Sequence, residues 1–233
     1  MLSIFLTLHA IVKKTCEHLC LLTQQAGFRL RHNKVMTKDT DKYALFPLHT
    51  VLFPGGILPL QIFEQRYLTL IKDCMKQQKG FVVVSISEGK EVGSTPQIYC
   101  VGCYVEIIDW QALENGLLGI SIQAKYRVRL SNSTVRDDGL LLADASRFES
   151  NLDDDLPMPG TFQHLTETLK QLLEHPFATV YKDTVNMKST TDVCYRLSEL
   201  LPINNKQKQL LLESETAEQM LDQLVLHIDT LQK

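Results

Sequence analysis

Cys100-Val101-Gly102-Cys103 is the spacing in this chain nearest to a reactive motif. A C-x-x-C pair can hold a metal or cycle between thiol and disulfide. Zinc ribbons need two such pairs, and the sequence has one. A redox pair sits at a helix N-terminus, where the thiol pKa is lowered. The flanks here, Ile98-Tyr99 and Tyr104-Val105-Glu106-Ile107, have strand character. Positions three apart on a strand point to opposite faces, so both thiols are expected to be structural. Cys16, His18 and Cys20 form a second candidate ligand set, with no further pair to complete a site. A Cys–His hydrolase would combine Cys74, Cys100, Cys103 or Cys194 with His49 or His164. That chemistry needs nucleophile and base within hydrogen-bond reach, and an oxyanion hole. No local nucleophile signature accompanies these residues, so no catalytic residue, cofactor site or metal site is assigned.

The other chemistry-bearing pattern is cationic. From Leu117 to Leu130 the chain alternates: Ile120, Ile122, Ala124, Tyr126, Val128 and Leu130 on one side, with Ser121, Gln123, Lys125, Arg127 and Arg129 on the other. The first set is expected in the core. Lys125, Arg127 and Arg129, with Arg136 beyond, are the best candidates for an RNA surface, which stands as the alternative function. Against it, no aromatic residue is interleaved on that side for stacking, and acids such as Glu106 lie nearby. Net charge also disfavours nucleic acid: residues 1–38 hold six Lys/Arg and one acid, while residues 39–233 sum to −8.

These residues must be positioned by ordinary globular elements. Hydrophobic content of 44% and charged content of 22% suit a folded core over 233 residues. Phe46 to Tyr67, FPLHTVLFPGGILPLQIFEQRY, reads as strand, tight turn, strand and helix. Pro54-Gly55-Gly56 is the turn, since Pro presets φ and Gly permits positive φ. Pro59 removes a ladder donor, which fits an edge strand. Glu64 opens a helix with an acid in its first turn, and Tyr67, Leu68, Ile71 and Met75 (or Cys74) follow on its apolar side. Arg66 is expected to pin that helix through a carboxylate. Phe81–Ile86 is a buried strand, Gln97–Trp110 a long strand, and Glu114-Asn115-Gly116 a hairpin. Leu140–Phe148 is the last strand. Acids and two prolines over 149–160 mark a boundary, and the period then becomes helical. Ala217, Leu221, Leu224, Ile228 and Leu231 form a narrow seam, expected to pack on a neighbouring helix.

The ordered set Phe46-Pro47-Leu48, Val51-Leu52-Phe53-Pro54-Gly55, Leu58-Pro59-Leu60, Ile62-Phe63-Glu64 and Arg66-Tyr67 resembles the N-terminal substrate-binding domain of Lon-type ATP-dependent proteases. Further likeness lies at Val101-Gly102, at Leu197-Ser198-Glu199-Leu200-Leu201-Pro202, at Lys206-Gln207 and at Leu211-Leu212-Glu213. One departure is Ala124, where the family commonly has a glycine. The resemblance covers roughly Tyr43 to Lys233. It implies an α+β fold: a PUA-like β pseudo-barrel over 41–149, followed by a helical subdomain over 161–233. Phe46, Pro47, Leu48, Phe53, Pro54, Gly55, Phe63, Glu64, Arg66 and Tyr67 would be its structural motif.

The resemblance further implies recognition of protein substrates. The expected function is a non-catalytic module that engages unfolded or tagged polypeptides, alone or as adaptor to an ATP-dependent protease or chaperone. Phe53, Ile57 and Leu58 near the turn, with Trp110 and Leu113 near the hairpin tip, are the expected contacts, aided by strand addition at a barrel edge. No G-x-x-x-x-G-K-[ST] run occurs, so a free-standing domain rather than an enzyme is expected. Residues 1–38, with Arg29, Arg31, Lys34 and Lys38 as a basic patch, are expected outside the domain, Met36 being a possible start. Met1–Val12 is too short to span a bilayer, which takes about twenty apolar residues. A cytoplasmic monomer or weak homodimer completes the expectation.

Overall fold

β-Branched and aromatic runs form six strands: β1 (Lys42–Leu48), β2 (Ile57–Ile62), β3 (Phe81–Glu88), β4 (Gln97–Ala112), β5 (Leu118–Val135) and β6 (Leu141–Arg147). The structure is a computed structural model that describes residues 42–92, 95–150, 157–182 and 184–231. The chain divides into the units Met1–Asp39 and Thr40–Lys233. The first, and every expectation about residues 1–38, lies outside the described residues.

The strands run in the order β2-β5-β4-β3-β1-β6, and β6 returns to pair with β5. Five strands therefore close into a barrel. Closure works because β5 is 18 residues long. Its first part pairs with β2 through Gln123, and its later part pairs with β6 from Val128 onward. β1 and β3 are parallel, joined through β2 and helix α1 (Gln65–Gln77). The remaining pairings are antiparallel.

A bulge in β5 overturns the expected alternation. Tyr104 lies opposite Tyr126 while Val105 lies opposite Ala124, so Lys125 is an extra residue. One extra residue sends every later side chain to the other face. Ile120, Ile122 and Ala124 pack outside the barrel with the helices. Val128 and Leu130 instead fill the barrel interior with Leu45, Val82, Val84, Leu141 and Ala143. Arg127, expected on an exposed cationic face, is swung to the helix-covered side and is 3% exposed.

α1 buries Tyr67, Leu70, Ile71 and Cys74, while Met75 is exposed. Glu64 is its N-cap residue rather than a first-turn acid. Its carboxylate pairs with Arg66 at 2.8 Å, and Arg66 Nη1 donates to the Gly139 carbonyl at 2.8 Å. Helices α2 (Gln163–Leu173), α3 (Thr190–Leu200), α4 (Asn205–Leu212) and α5 (Ala217–Leu231) follow β6. Asn204 and Gln207 form a reciprocal capping box at α4, which starts the helix three residues after Pro202. Leu221, Leu224 and Ile228 of α5 are buried, with α3 as its main neighbour, so the seam is spent within the chain.

Buried arginines fasten these helices to the β domain. Arg127 Nη1 donates to the Leu212 and Ser214 carbonyls at 2.8 and 2.7 Å, and Nη2 to Ser150 Oγ. Its guanidinium lies 4.5 Å from the Phe148 ring centre. Arg196 Nη2 donates to the Pro54 carbonyl at 2.5 Å, and its Nη1 pairs with Glu199.

Candidate functional site

The Pro-Gly-Gly turn is pulled inward by its apolar neighbours. Val51, Leu52 and Phe53 are all buried. Gly55 takes φ +77°, a conformation open to glycine at little cost. Its N–H donates to the Ala124 carbonyl at 2.8 Å, and the Ala124 N–H donates to the Gly56 carbonyl at 2.9 Å. Phe53 is 0% exposed, with its ring 6.0 Å from that of Tyr195. It cannot meet a partner. Its apolar bulk sits where the barrel meets the helices, so it is a core residue rather than the expected contact.

β2 is the strand with an outer edge, and Pro59 does lie there. That edge has few free groups. Tyr181 Oη accepts the Ile57 N–H at 3.1 Å and donates to the Ile57 carbonyl or to Glu199 Oε1, 3.2 and 2.6 Å away. In an antiparallel ladder alternate residues face outward, so Ile57, Pro59 and Gln61 share the outer edge. Ile57 is occupied and Pro59 has no N–H, which leaves Gln61 as the only outward donor of this strand. Strand addition has little to grip here. Ile57 and Leu58 are half-buried and pack on the core.

The apolar surface lies beside this edge. Nine large apolar side chains are exposed among the described residues, and five of them follow one path. Met75, Ile108 and Trp110 line a groove of about 440 Å³. It adjoins at Asp109 and Trp110 a second groove of about 320 Å³, walled by Leu60 and Leu113. That one adjoins at Leu60 and Gln61 a third, of about 120 Å³, walled by Phe63 and Val92. Trp110 is 59% exposed, Phe63 58% and Ile108 48%. Trp110 lies directly across the ladder from Ile120, which is buried, and Ile120 lies across from Leu60. The exposed indole is thus one end of a row whose centre is core.

Two expected contacts, Trp110 and Leu113, stand on this path. Leu113 folds back over Gly119, where an added Cβ would meet it at 2.9 Å. Phe63 belongs to the family motif set, and no local sequence signal marks Ile108 or Val92 as exposed. Ile108 is displayed by a second irregularity, in β4. Ile107 lies opposite Ile122 and Asp109 opposite Ser121, so Ile108 is the extra residue.

The thiols and cations do not assemble. Cys100 is exposed and Cys103 buried, so the two thiols share no site. Burial pushes the Cys74 thiol up to about 11, and Cys103 and Cys194 to about 12, which holds them protonated and unreactive. Among the described residues no group of three or more His, Cys, Asp or Glu could hold a metal ion. Lys125 pairs with Glu106 at 3.3 Å, and Arg136 with Asp138. The Arg129 guanidinium sits 4.7 Å from the Phe148 ring centre. With Arg127 buried, these four form no common cationic face.

Residues 42–230 match the model for the ATP-dependent protease La (LON) substrate-binding domain. The chain belongs to this family. A Lon N-terminal domain protein from Xanthomonas campestris has a similar crystal structure, with 30% identity and a TM-score of 0.66 over 79% of this chain and 97% of that one. The N-terminal domain of the Mycobacterium avium complex Lon protease shares the fold at 14% identity, with a TM-score of 0.56 over 79% of this chain and 96% of that domain. Among full-length relatives, the Lon protease of Halothermothrix orenii is 22% identical over 82% of this chain, and Lon protease 1 of Hydrogenovibrio crunogenus 23% over 82%. The chain spans 26% and 24% of their lengths, so it is matched only to their substrate-binding part. The α+β architecture expected of a Lon substrate-binding domain is the one observed. No helix among the described residues is long and apolar enough to cross a membrane.

Proposed function

We propose that this chain is a non-catalytic polypeptide-binding module that holds unfolded or degradation-targeted segments, alone or as an adaptor to an ATP-dependent protease or chaperone. Membership of the Lon substrate-binding family supports substrate recognition as the activity. The observation that carries the reading is the path of grooves from Met75 past Trp110 to Val92. Clustered exposed apolar side chains mark a binding surface, whereas scattered ones need no explanation. Binding is by side-chain contact, because the β2 edge has so few outward groups. The buried thiols of Cys74, Cys103 and Cys194 agree with a reducing, cytoplasmic setting.

The test is binding to a reduced and alkylated, hence permanently unfolded, polypeptide, compared with its native form. The unfolded form should bind the full chain, and Trp110→Ala should weaken it about ten-fold or more, as removal of an aromatic anchor does. Equal affinity for native and unfolded forms, or no effect of Trp110→Ala, defeats the reading.

A further inference from the structure

The grooves carry acid as well as apolar surface. Glu64, Glu91, Glu106 and Asp109 line them, against Lys79 as the one lining cation among the described residues. Arg66 compensates Glu64 at 2.8 Å, and Lys125 compensates Glu106 at 3.3 Å. No described cation forms a salt bridge with Glu91 or Asp109. Glu91 accepts the His49 backbone N–H at 2.5 Å, and Asp109 accepts the Trp110 backbone N–H at 2.8 Å. A neutral amide donor fixes a carboxylate in place without cancelling its charge. Asp109 thus keeps a carboxylate without a salt-bridge partner beside the exposed Trp110 indole, and Glu91 keeps another at the Phe63–Val92 end.

We infer that the grooves select extended polypeptide segments whose apolar anchors are flanked by lysine or arginine, and reject segments flanked by acids. This rests on the polypeptide-binding reading above and adds the substrate class. Apolar contact does not distinguish one greasy segment from another. A rim of fixed charge does so, attracting one flank type and repelling its opposite. The same rim repels phosphate backbones. Exposed ion pairs are individually weak, so each flank contributes on the order of two- to five-fold at low salt.

Trp110 is the only tryptophan in the chain, so its emission reports on the grooves directly. Three synthetic peptides without tryptophan share one Leu/Phe core and differ only in their flanks: lysine, serine or aspartate. Each is titrated into the full chain while emission is followed. The lysine-flanked peptide should bind about ten-fold tighter than the aspartate-flanked one at ~0.02 M salt, and the gap should close near 0.5 M. Glu91→Lys with Asp109→Lys should reverse the order. Should that variant lose its far-ultraviolet circular dichroism, Glu91→Gln with Asp109→Asn should still erase the preference. Equal binding of all three peptides overturns the charge inference and leaves the polypeptide reading standing. No shift with any peptide overturns both. A shift that needs only more protein, with a doubling of mass in sedimentation, makes a second copy the occupant and overturns the inference.

Discussion

Arg127 Nη1 lies 2.8 Å from the Leu212 carbonyl oxygen, so a residue of β5 closes the C-terminus of α4, 85 positions later in the chain. A helix C-terminus carries partial negative charge on its free carbonyls, and a buried cation there satisfies both charge and hydrogen bonds. The hold depends on Lys125, since only the extra residue before it turns Arg127 toward the helices.

Arg127→Ala should therefore destabilise the fold by about 3 kcal/mol, the scale of two charge-assisted hydrogen bonds lost from buried carbonyls. Arg127→Lys should lose less, because it keeps the charge but not the fork. Urea unfolding of the full chain measures both. Equal stability of Arg127→Ala and the parent would show that the contact contributes nothing.

Tyr181 makes an alkaline prediction. Burial first, and then the Glu199 carboxylate, push its phenol from 10 up to about 12. The folded state thus holds the proton more tightly than the unfolded chain. This contribution is complete below about pH 10 and is lost as pH rises towards 12. Tyr181→Phe should cost about 1–3 kcal/mol at neutral pH, because the Ile57 N–H and Glu199 lose their partner. The same variant should show a shallower loss of stability above pH 10. A thermal-melt series from pH 7 to about 11 reads both effects.

Phe53 and Trp110 should separate stability from binding. Phe53 is wholly buried, so Phe53→Ala should cost about 3–5 kcal/mol of stability. Trp110 projects into solvent, so Trp110→Ala should change stability by no more than about 0.5 kcal/mol while weakening polypeptide binding. The paired measurement is unfolding by denaturant and affinity for an unfolded polypeptide. A large stability loss in Trp110→Ala would assign it to the core.

Glu213 is the carboxylate held up by the fold. Burial raises its pKa, opposed by a 2.7 Å hydrogen bond from Gln209 and by the charge of Arg129. A raised carboxyl stabilises the fold while protonated, below its unfolded pKa, and this is lost as pH rises through the folded value. Glu213→Gln keeps the acceptor for Gln209 and removes the buried charge. It should raise the melting temperature at pH 7, with the gain vanishing near about pH 4, where the parent is also neutral. A lower melting temperature at pH 7 would show that the charge is stabilising.

How far the sequence determined this protein follows from the range of the interactions. The strands β1 to β6, the turn at Pro54-Gly55-Gly56, the hairpin at Glu114-Asn115-Gly116 and the helical period after 160 are local patterns, and all were legible. The capping box at Asn204 and Gln207 was equally local and could have announced α4. Tertiary structure alone decided where Arg127 points, that Phe53 is sealed while Phe63 is open, and that Ile108 stands out beside Trp110. Each depends on a bulge or on a contact across many residues. A bulge is defined by the partner strand, so period two in one strand cannot reveal where the count slips.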